Sequence, residues 1–213
     1  MGIPSEYFEI EGLDEEVRAT IEIKIKELEE MGATIVPVSL PHTKYAIPVY
    51  YIVVPSEDSS NLGRLDGIRY GVQAEHENLY DAYAKSRAQG FPEEVKRRIM
   101  IGTYALSSGY YDAYYRKAQK VRTLICQDFD RVFETVDVLI TPTSPFPAFD
   151  LGAKKDDVLA MYLADVFAVP ASLAGVPALS VNAGFTKSGL PIGVQVIGKR
   201  MGEAMVLAVG SLL

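Results

Sequence analysis

The chain has 213 residues, 48% of them apolar, and a formal net charge of −7. This composition predicts a packed globular core and argues against an electrostatic surface for nucleic acid. No apolar run reaches the roughly 18 residues that cross a bilayer, and the start lacks a signal-peptide pattern. The single Cys126 excludes an internal disulfide, and with two histidines there is no zinc ligand set. We therefore expect a cytoplasmic protein that binds neither metal nor membrane.

The first 40 residues predict a βαβ unit. Gly2-Ile3-Pro4 is typical of the end of a strand, and residues 33–40 predict a second strand. Residues 13–31 predict an amphipathic helix that Asp14 caps and Gly32 ends. The apolar side chains that recur there at helical spacing are Val17, Ile21, Ile25 and Leu28. The succession strand, helix, strand implies a parallel pair.

The middle of the chain is mainly helical, after an ambiguous beginning. Residues 45–54, YAIPVYYIVV, are apolar throughout, so we expect them to be buried, either as a helix or as an extended segment. Residues 59–71, SSNLGRLDGIRYG, have turn formers and no regular period, which predicts loops with some helix. A helix begins near Pro92, and a second covers about 108–134.

The last third alternates strands and helices. Residues 136–143 form an apolar run typical of a buried strand. A proline-rich loop follows its carboxyl end, the edge at which open α/β sheets bind ligands. We then predict a helix over 157–174, strands over 177–183 and 190–197, and a final helix. The fold class is α/β, with a mixed, largely parallel central sheet flanked by helices. Both ends look cut, so we expect residues 1–213 to be one incomplete domain.

Serine pairs and histidines are the candidates for nucleophile and base. Ser107-Ser108-Gly109 and Ser59-Ser60-Asn61 could each place a nucleophile on a strained turn, although such pairs more often cap or bend helices. His42 could be a base or a loop histidine that hydrogen-bonds the backbone, and we expect His76 to be a solvated helix residue. A Ser-His-Asp triad is therefore poorly supported.

Two charged residues, Arg98 and Asp165, lie beside or within apolar stretches of the sequence. Arg98 borders the apolar stripe of its predicted helix, so it can reach inward to an acid or a ligand carboxylate, whereas Arg97 beside it fits a solvated face. Asp165 lies within MYLADVFAV and should cap a helix, pair with a cation or bind a ligand amine.

The stretch ASLAGVPALSVNAG, residues 171–184, superficially resembles a phosphate loop. It lacks both GxxxxGK[ST] and GxGxxG, so nucleotide binding is not supported. We expect Ser172 and Ser180 to be structural and Gly175 with Pro177 to form a tight helix-to-strand turn.

Several segments together resemble the amidase-signature family. They are HTKYAIPVYY, SSNLGRLDGIRYG, EVKRRIMIGTYALSSGYY, LITPTSP, PASLAGVPALSV and GLPIGVQVIG. Within this family, the first two are typical of the glutaminase subunits of tRNA-dependent amidotransferases, which act on Glu-tRNA(Gln) or Asp-tRNA(Asn). The resemblance covers essentially the whole chain.

The resemblance implies a central mixed sheet wrapped by helices and a Ser–cis-Ser–Lys triad that attacks the side-chain amide of glutamine. No segment of this chain matches the GGSSGGS-type sequence that carries the serines of the triad. We therefore assign no catalytic residue here, and we expect the chain to be the C-terminal portion of such a subunit.

What the resemblance does carry over is half of a glutamine pocket. It implies that Arg98 binds the α-carboxylate, Asp165 the α-ammonium and Tyr50 contributes a hydroxyl. Arg97 is the alternative if the register differs by one residue.

The resemblance also implies partners for the intact subunit. These are subunits B and C of a heterotrimer, with tRNA held indirectly through the partner. ATP and Mg²⁺ belong to the partner, so this chain should bind no cofactor. The alternatives are a fragment of a stand-alone amidase and a non-catalytic interaction module.

Overall fold

The chain divides into two units of α-helices and β-strands. The first unit contains Met1–Ile47 and Val121–Leu213, and the second contains Pro48–Lys120. The computed structural model describes residues 1–153, 161 and 163–213. The expectation of one incomplete domain over residues 1–213 stays a prediction.

The described strands belong to the first unit and form one five-stranded sheet. They are β1 (Gly2–Pro4), β2 (Val36–Val38), β3 (Val138–Pro142), β4 (Ala178–Phe185) and β5 (Pro191–Gly198). The spatial order is β2-β1-β3-β5-β4. Strand β1 pairs parallel with β2 and β3, and β5 pairs antiparallel with β3 and β4. The mixed α/β class is confirmed. Two pairs are parallel and two are antiparallel, so the sheet is evenly mixed rather than largely parallel. The short connection from β4 to β5 makes one of the antiparallel pairs a hairpin.

Helices precede and follow these strands along the chain. The described ones are α1 (Glu15–Glu30), α2 (Ala46–Asn61), α3 (Leu79–Gly90), α4 (Glu93–Ala105), α5 (Tyr115–Val132), α6 (Val169–Ala174) and α7 (Glu203–Gly210). Short 3₁₀ turns lie at Ser5–Tyr7, Thr43–Tyr45 and Leu62–Arg64. Over the described residues, we find no helix with the length and apolar character to span a bilayer.

The βαβ unit at the N-terminus is confirmed. The Asp14 carboxylate accepts hydrogen bonds from the backbone N–H groups of Glu16 (2.8 Å) and Val17 (3.2 Å), which are free donors at a helix start. Val17, Ile21 and Leu28 are buried along one face of α1. Each such side chain contributes about 1.5–3 kcal/mol by leaving water. The helix returns the chain to β2, which pairs in parallel register with β1.

Strand β3 is the core of the first unit, because all five of its residues are buried. Its neighbours approach closely: a Cβ added to Gly2 of β1 would lie 2.7 Å from Cδ2 of Leu139. Glycine is therefore required where β1 passes β3. The apolar run over 136–143 thus identified a strand that is covered on both sides.

Two predicted helices are shorter than expected. Helix α5 begins at Tyr115, and the residues 108–114 before it form turns, in which Tyr110 stacks on Tyr104 at a ring distance of 4.3 Å. The helix expected over 157–174 is described as α6 from Val169, preceded by a turn over 164–168, with Met161 and Leu163 also helical. Residues 157–160 and 162 of that prediction lie outside the described residues.

Two other helices were not assigned from the sequence. The ambiguous segment 45–54 lies mostly within α2, so its helical alternative is the one the structure adopts. Helix α3 was missed; its start is capped by Asn78, whose side-chain oxygen accepts from the backbone N–H of Asp81 at 2.9 Å. Only Ala82 and Ser86 of α3 are buried, so it lacks the apolar stripe that identifies a helix in sequence.

Helices α2 and α4 of the second unit touch backbone to backbone. Gly102 of α4 is buried against the main chain of Pro55 and Ser56, and a Cβ there would collide with the Pro55 carbonyl oxygen. Since neither partner atom is the end of a flexible side chain, glycine sets how closely these helices pack.

Replacing Gly102 by alanine should therefore destabilise the protein by about 3 kcal/mol or more, the upper range for overpacking. Urea denaturation measures this loss. Gly109→Ala is the matched control, because Gly109 is exposed and nothing lies within 4 Å of an added Cβ. Equal stability of the two variants would contradict the close packing of α2 on α4.

Candidate functional site

Arg98 is held in position by two side chains of the second unit. It lies one helical turn after Glu94 on α4, and its Nε donates to Glu94 Oε1 at 3.1 Å. Its Nη1 donates to the hydroxyl of Tyr50 on α2 at 3.3 Å. A guanidinium group has more N–H donors than these two contacts use. Arg98 therefore keeps donors for a ligand while its orientation is set.

The surroundings of Arg98 also stabilise its charge. Partial burial acts to lower the pKa of the guanidinium, but the hydrogen bonds that it donates to Glu94 and Tyr50 outweigh this effect and raise that pKa above its ordinary value. The ring of Tyr51 lies 5.6 Å from the guanidinium carbon and faces the cation with its π-electrons. Arg98 is thus a permanent cation with 27% of its side chain exposed.

The structure distinguishes Arg98 from its neighbour Arg97. Arg97 pairs with the other oxygen of Glu94, and 53% of its side chain is exposed. Arg98 is the less exposed of the two and is the one that contacts Tyr50. Glu94 therefore bridges both arginines, and only Arg98 extends toward α2.

Asp165 lies in the first unit, in the turn that leads into α6. Its main-chain carbonyl accepts hydrogen bonds from the N–H groups of Ala168 and Val169, both at 3.0 Å. Its side chain is exposed, and among the described residues its carboxylate makes no hydrogen bond or ion pair. Of the roles open from the sequence, capping and internal pairing are thus not observed within the described residues. Tyr50 and Arg98 meet in one unit, and Asp165 belongs to the other.

A cavity of about 440 Å³ lies at the carboxyl end of β3, where the sequence predicted a ligand edge. Its lining includes Ala164, the neighbour of Asp165, and the hydroxyls of Thr143 and Ser180, which lie 2.7 Å apart. Gly193 lines it too, and a Cβ at that position would lie 2.8 Å from Thr143 Oγ1. The turn that carries Asp165 thus borders the cavity of the first unit.

The candidate serines are engaged with nearby groups. Ser107 Oγ donates to the Tyr104 carbonyl at 2.7 Å and Ser59 Oγ to the Ser56 carbonyl at 2.8 Å, as expected for helix ends and bends. Ser172 lies on α6, where its hydroxyl donates to the Ala168 carbonyl at 3.3 Å. Gly175 ends α6 with φ of 69°, the left-handed conformation that favours glycine, which confirms the predicted turn.

The backbone hydrogen bond expected for His42 and the helix expected around His76 are both wrong, while the alternative role of His42 as a base stays a prediction. The Nδ1 atom of His42 lies 3.0 Å from Oδ2 of Asp128, so its partner is a side chain rather than the backbone. His76 precedes α3 in an irregular segment and is not helical, although it is exposed as expected. No sequence signal links His42 to a residue 86 positions away, and only the fold places them together.

The pair of His42 and Asp128 has the geometry of a structural clamp. The Asp128 carboxylate is 1% exposed and also accepts the backbone N–H of His42 at 2.9 Å and Arg131 Nη2 at 2.8 Å. Three hydrogen bonds satisfy a buried charge that would otherwise be costly.

Among the described residues, no group of three or more His, Cys, Asp and Glu side chains is placed to hold a metal ion.

Comparison with protein families and curated proteins gives consistent matches. The family model described as Amidase matches residues 1–207. The glutamyl-tRNA(Gln) amidotransferase A-subunit of Myxococcus xanthus is 57% identical over 98% of this chain and 43% of its own length. The protein of the same name from Chloroflexus aggregans is 59% identical over 99% and 43%. The chain thus spans about 43% of the length of these curated relatives.

Solved structures agree with these matches. The glutamyl-tRNA(Gln) amidotransferase A-subunit of Thermotoga maritima superposes with a TM-score of 0.73 at 41% identity, over 98% of this chain and 40% of that one. A structure named amidase has the same TM-score at 24% identity, over 100% of this chain and 44% of that one, which shows the shared fold alone.

Asp128→Ala should cost about 1–3 kcal/mol of stability, because it removes the buried carboxylate that accepts hydrogen bonds from the partly buried His42 and from Arg131. Thermal and urea unfolding measure the loss. Asp130→Ala, an exposed change on the same helix, should shift stability by no more than about 0.5 kcal/mol. Equal effects of both variants would show that His42 and Asp128 do not clamp the first unit.

Proposed function

Because the chain belongs to the amidase family, we propose that it provides half of the glutamine pocket in the glutaminase subunit of a tRNA-dependent amidotransferase. The complete subunit would hydrolyse glutamine and release ammonia. A partner subunit would use the ammonia to convert Glu-tRNA(Gln) to Gln-tRNA(Gln), or Asp-tRNA(Asn) to Asn-tRNA(Asn). The names of the curated relatives, which are 54–59% identical to this chain, support the first of these substrates.

The observation that carries this proposal is the arrangement of Arg98 and Tyr50. Free glutamine is a zwitterion, so a pocket that selects it needs one fixed cation and one fixed anion. A guanidinium binds a carboxylate with two parallel hydrogen bonds, and it does so best when its orientation is already set. Glu94 and Tyr50 supply that orientation for Arg98 at 3.1 and 3.3 Å.

Each pocket residue then has one task. Arg98 binds the α-carboxylate of glutamine, and the Tyr50 hydroxyl, which accepts a hydrogen bond from Arg98, keeps its own proton to donate to the same ligand. Asp165 binds the α-ammonium through its exposed carboxylate. Binding at this end would leave the side-chain amide free to reach the nucleophile. None of the three residues forms or breaks a covalent bond in the reaction.

The nucleophilic Ser–cis-Ser–Lys triad belongs to residues outside these 213. The hydrogen bonds of Ser59 and Ser107 to neighbouring carbonyls suit helix ends rather than a nucleophile. The triad would attack the amide, and this chain would hold the amino-acid end of the substrate.

The partners follow from the same assignment. Subunits B and C would complete a cytoplasmic heterotrimer, and ATP with Mg²⁺ would be bound by the partner that activates the tRNA-linked carboxylate. The net charge of −7 supports an indirect role in tRNA binding, since a phosphate backbone is held by basic surfaces.

Arg98→Ala in the complete enzyme should reduce kcat/KM for glutamine by about 10- to 100-fold, the range for a hydrogen bond to a charged group. Ammonia release under varied glutamine concentration measures this. Arg97→Ala is the matched control on the same helix and should change kcat/KM by less than about twofold. Unimpaired glutamine use by Arg98→Ala would favour a stand-alone amidase of another specificity.

These 213 residues alone, incubated with glutamine, should release no ammonia above background, because they contain no triad. A coupled glutamate dehydrogenase assay detects the ammonia. Clear turnover would place the nucleophile within this chain and refute the assignment of the triad to other residues. A stoichiometric complex with the partner subunits but no effect of Arg98 on glutamine use would favour the interaction module.

A further inference from the structure

Phe167, two residues after Asp165, is held from two sides in the first unit. Its ring, 2% exposed, stacks on Tyr7 with centroids 5.1 Å apart and planes 21° apart. Its main-chain carbonyl accepts a hydrogen bond from Gln195 Nε2 at 3.1 Å. The Tyr7 hydroxyl is buried and has no hydrogen-bond partner among the described residues, so the ring is what Tyr7 contributes to this contact.

Gln195 is the one side-chain amide among the described buried polar residues. It lies on β5 directly opposite Thr141 of β3, and its Nε2 also donates to Thr141 Oγ1 at 3.0 Å. Both N–H donors of the amide are thereby used. A buried amide costs free energy unless it is hydrogen-bonded, and an apolar side chain at this sheet position would avoid that cost. Core packing alone therefore does not explain why an amide with these two hydrogen bonds stands at position 195.

The contacts of Phe167 reach Asp165 through a short stretch of defined backbone. The Asp165 carbonyl binds the N–H groups of Ala168 and Val169, which closes a turn around Phe167. The ring, the carbonyl of Phe167 and this turn are all hydrogen-bonded or stacked, so the exposed Asp165 side chain projects from a backbone with little freedom. An exposed carboxylate on a loop would otherwise lose entropy when it binds a ligand.

We infer that Gln195, supported by Thr141, is a positioning residue for Asp165 and acts through the carbonyl of Phe167. This inference rests on the proposed role of Asp165 in binding the α-ammonium of glutamine. Gln195 does not touch the substrate in this arrangement. Its effect should therefore appear in the recognition of the ammonium group and leave the chemical step unchanged.

Two inhibitors separate that effect from a loss of folding. L-Glutamate and glutarate each carry a carboxylate that Arg98 should bind in competition with glutamine, but only glutamate presents an ammonium group to Asp165. The ratio of their inhibition constants in the complete enzyme thus reports the ammonium contact alone. Asp165→Asn should remove most of the preference for glutamate.

Gln195→Met retains the side-chain volume and loses both hydrogen bonds. It should reduce the preference for glutamate by about five- to tenfold, with kcat changed less than about twofold. Thr141→Val should shift the ratio in the same direction by about twofold, and it stands in if Gln195→Met does not fold. Thr186→Val is the matched control, because Thr186 is buried in the hairpin turn and accepts the Leu190 N–H at 3.0 Å. It should lower the melting temperature and leave the ratio unchanged.

The outcomes distinguish this inference from the proposed function. If Asp165→Asn lowers the preference but Gln195→Met and Thr141→Val weaken both inhibitors equally, the positioning role is overturned and the pocket stands. If Asp165→Asn leaves the preference intact, Asp165 does not bind the ammonium, and the proposed pocket is wrong at that residue. A preference that falls in all three variants and not in Thr186→Val supports both.

Discussion

The burial of β3 between two neighbours is the constraint on which the first unit depends. All five of its residues are buried, so both edges of the strand must be hydrogen-bonded, by β1 on one side and β5 on the other. Close packing at that position excludes a side chain at Gly2. The pairing of β3 with β5 places Thr141 opposite Gln195 at the carboxyl end of β3, where their side chains meet. The backbone around Asp165 is therefore supported by the centre of the sheet.

Arg98 and Asp165, the charged residues on which the proposed function rests, are oriented by different means. Arg98 stands on a helix and is held by side chains, the Glu94 carboxylate and the Tyr50 hydroxyl. Asp165 stands on a turn and is held through the main chain, by hydrogen bonds to the carbonyls of Asp165 and Phe167. Fixing a long, flexible arginine side chain costs conformational entropy, and the hydrogen bonds to the two side-chain partners offset that cost. A short carboxylate follows its backbone, so ordering the turn is sufficient.

Prediction from sequence was accurate where one physical signal dominated. Helix α1 has a cap and an apolar stripe, and β3 is a continuous apolar run, so both were identified close to their observed bounds. Helix α3 was missed because only Ala82 and Ser86 are buried, and α5 was extended over residues 108–114 because turns rich in tyrosine have no distinctive period. The environment of His42 could not be predicted, since its partner Asp128 is distant in the chain.

The sequence by itself determined the class of fold and the family, and it predicted the residue types of the proposed pocket. Periodic apolar patterns and helix caps lie within short stretches of the chain. The motifs around Tyr50, Arg98 and Asp165 can likewise be identified from the amino-acid sequence. Only the tertiary structure decided which of two adjacent arginines meets Tyr50, that Asp128 clamps His42 and that Gln195 reaches the carbonyl of Phe167. These contacts join residues 28–86 positions apart, and such pairings arise from how helices and strands pack together, which no local pattern encodes.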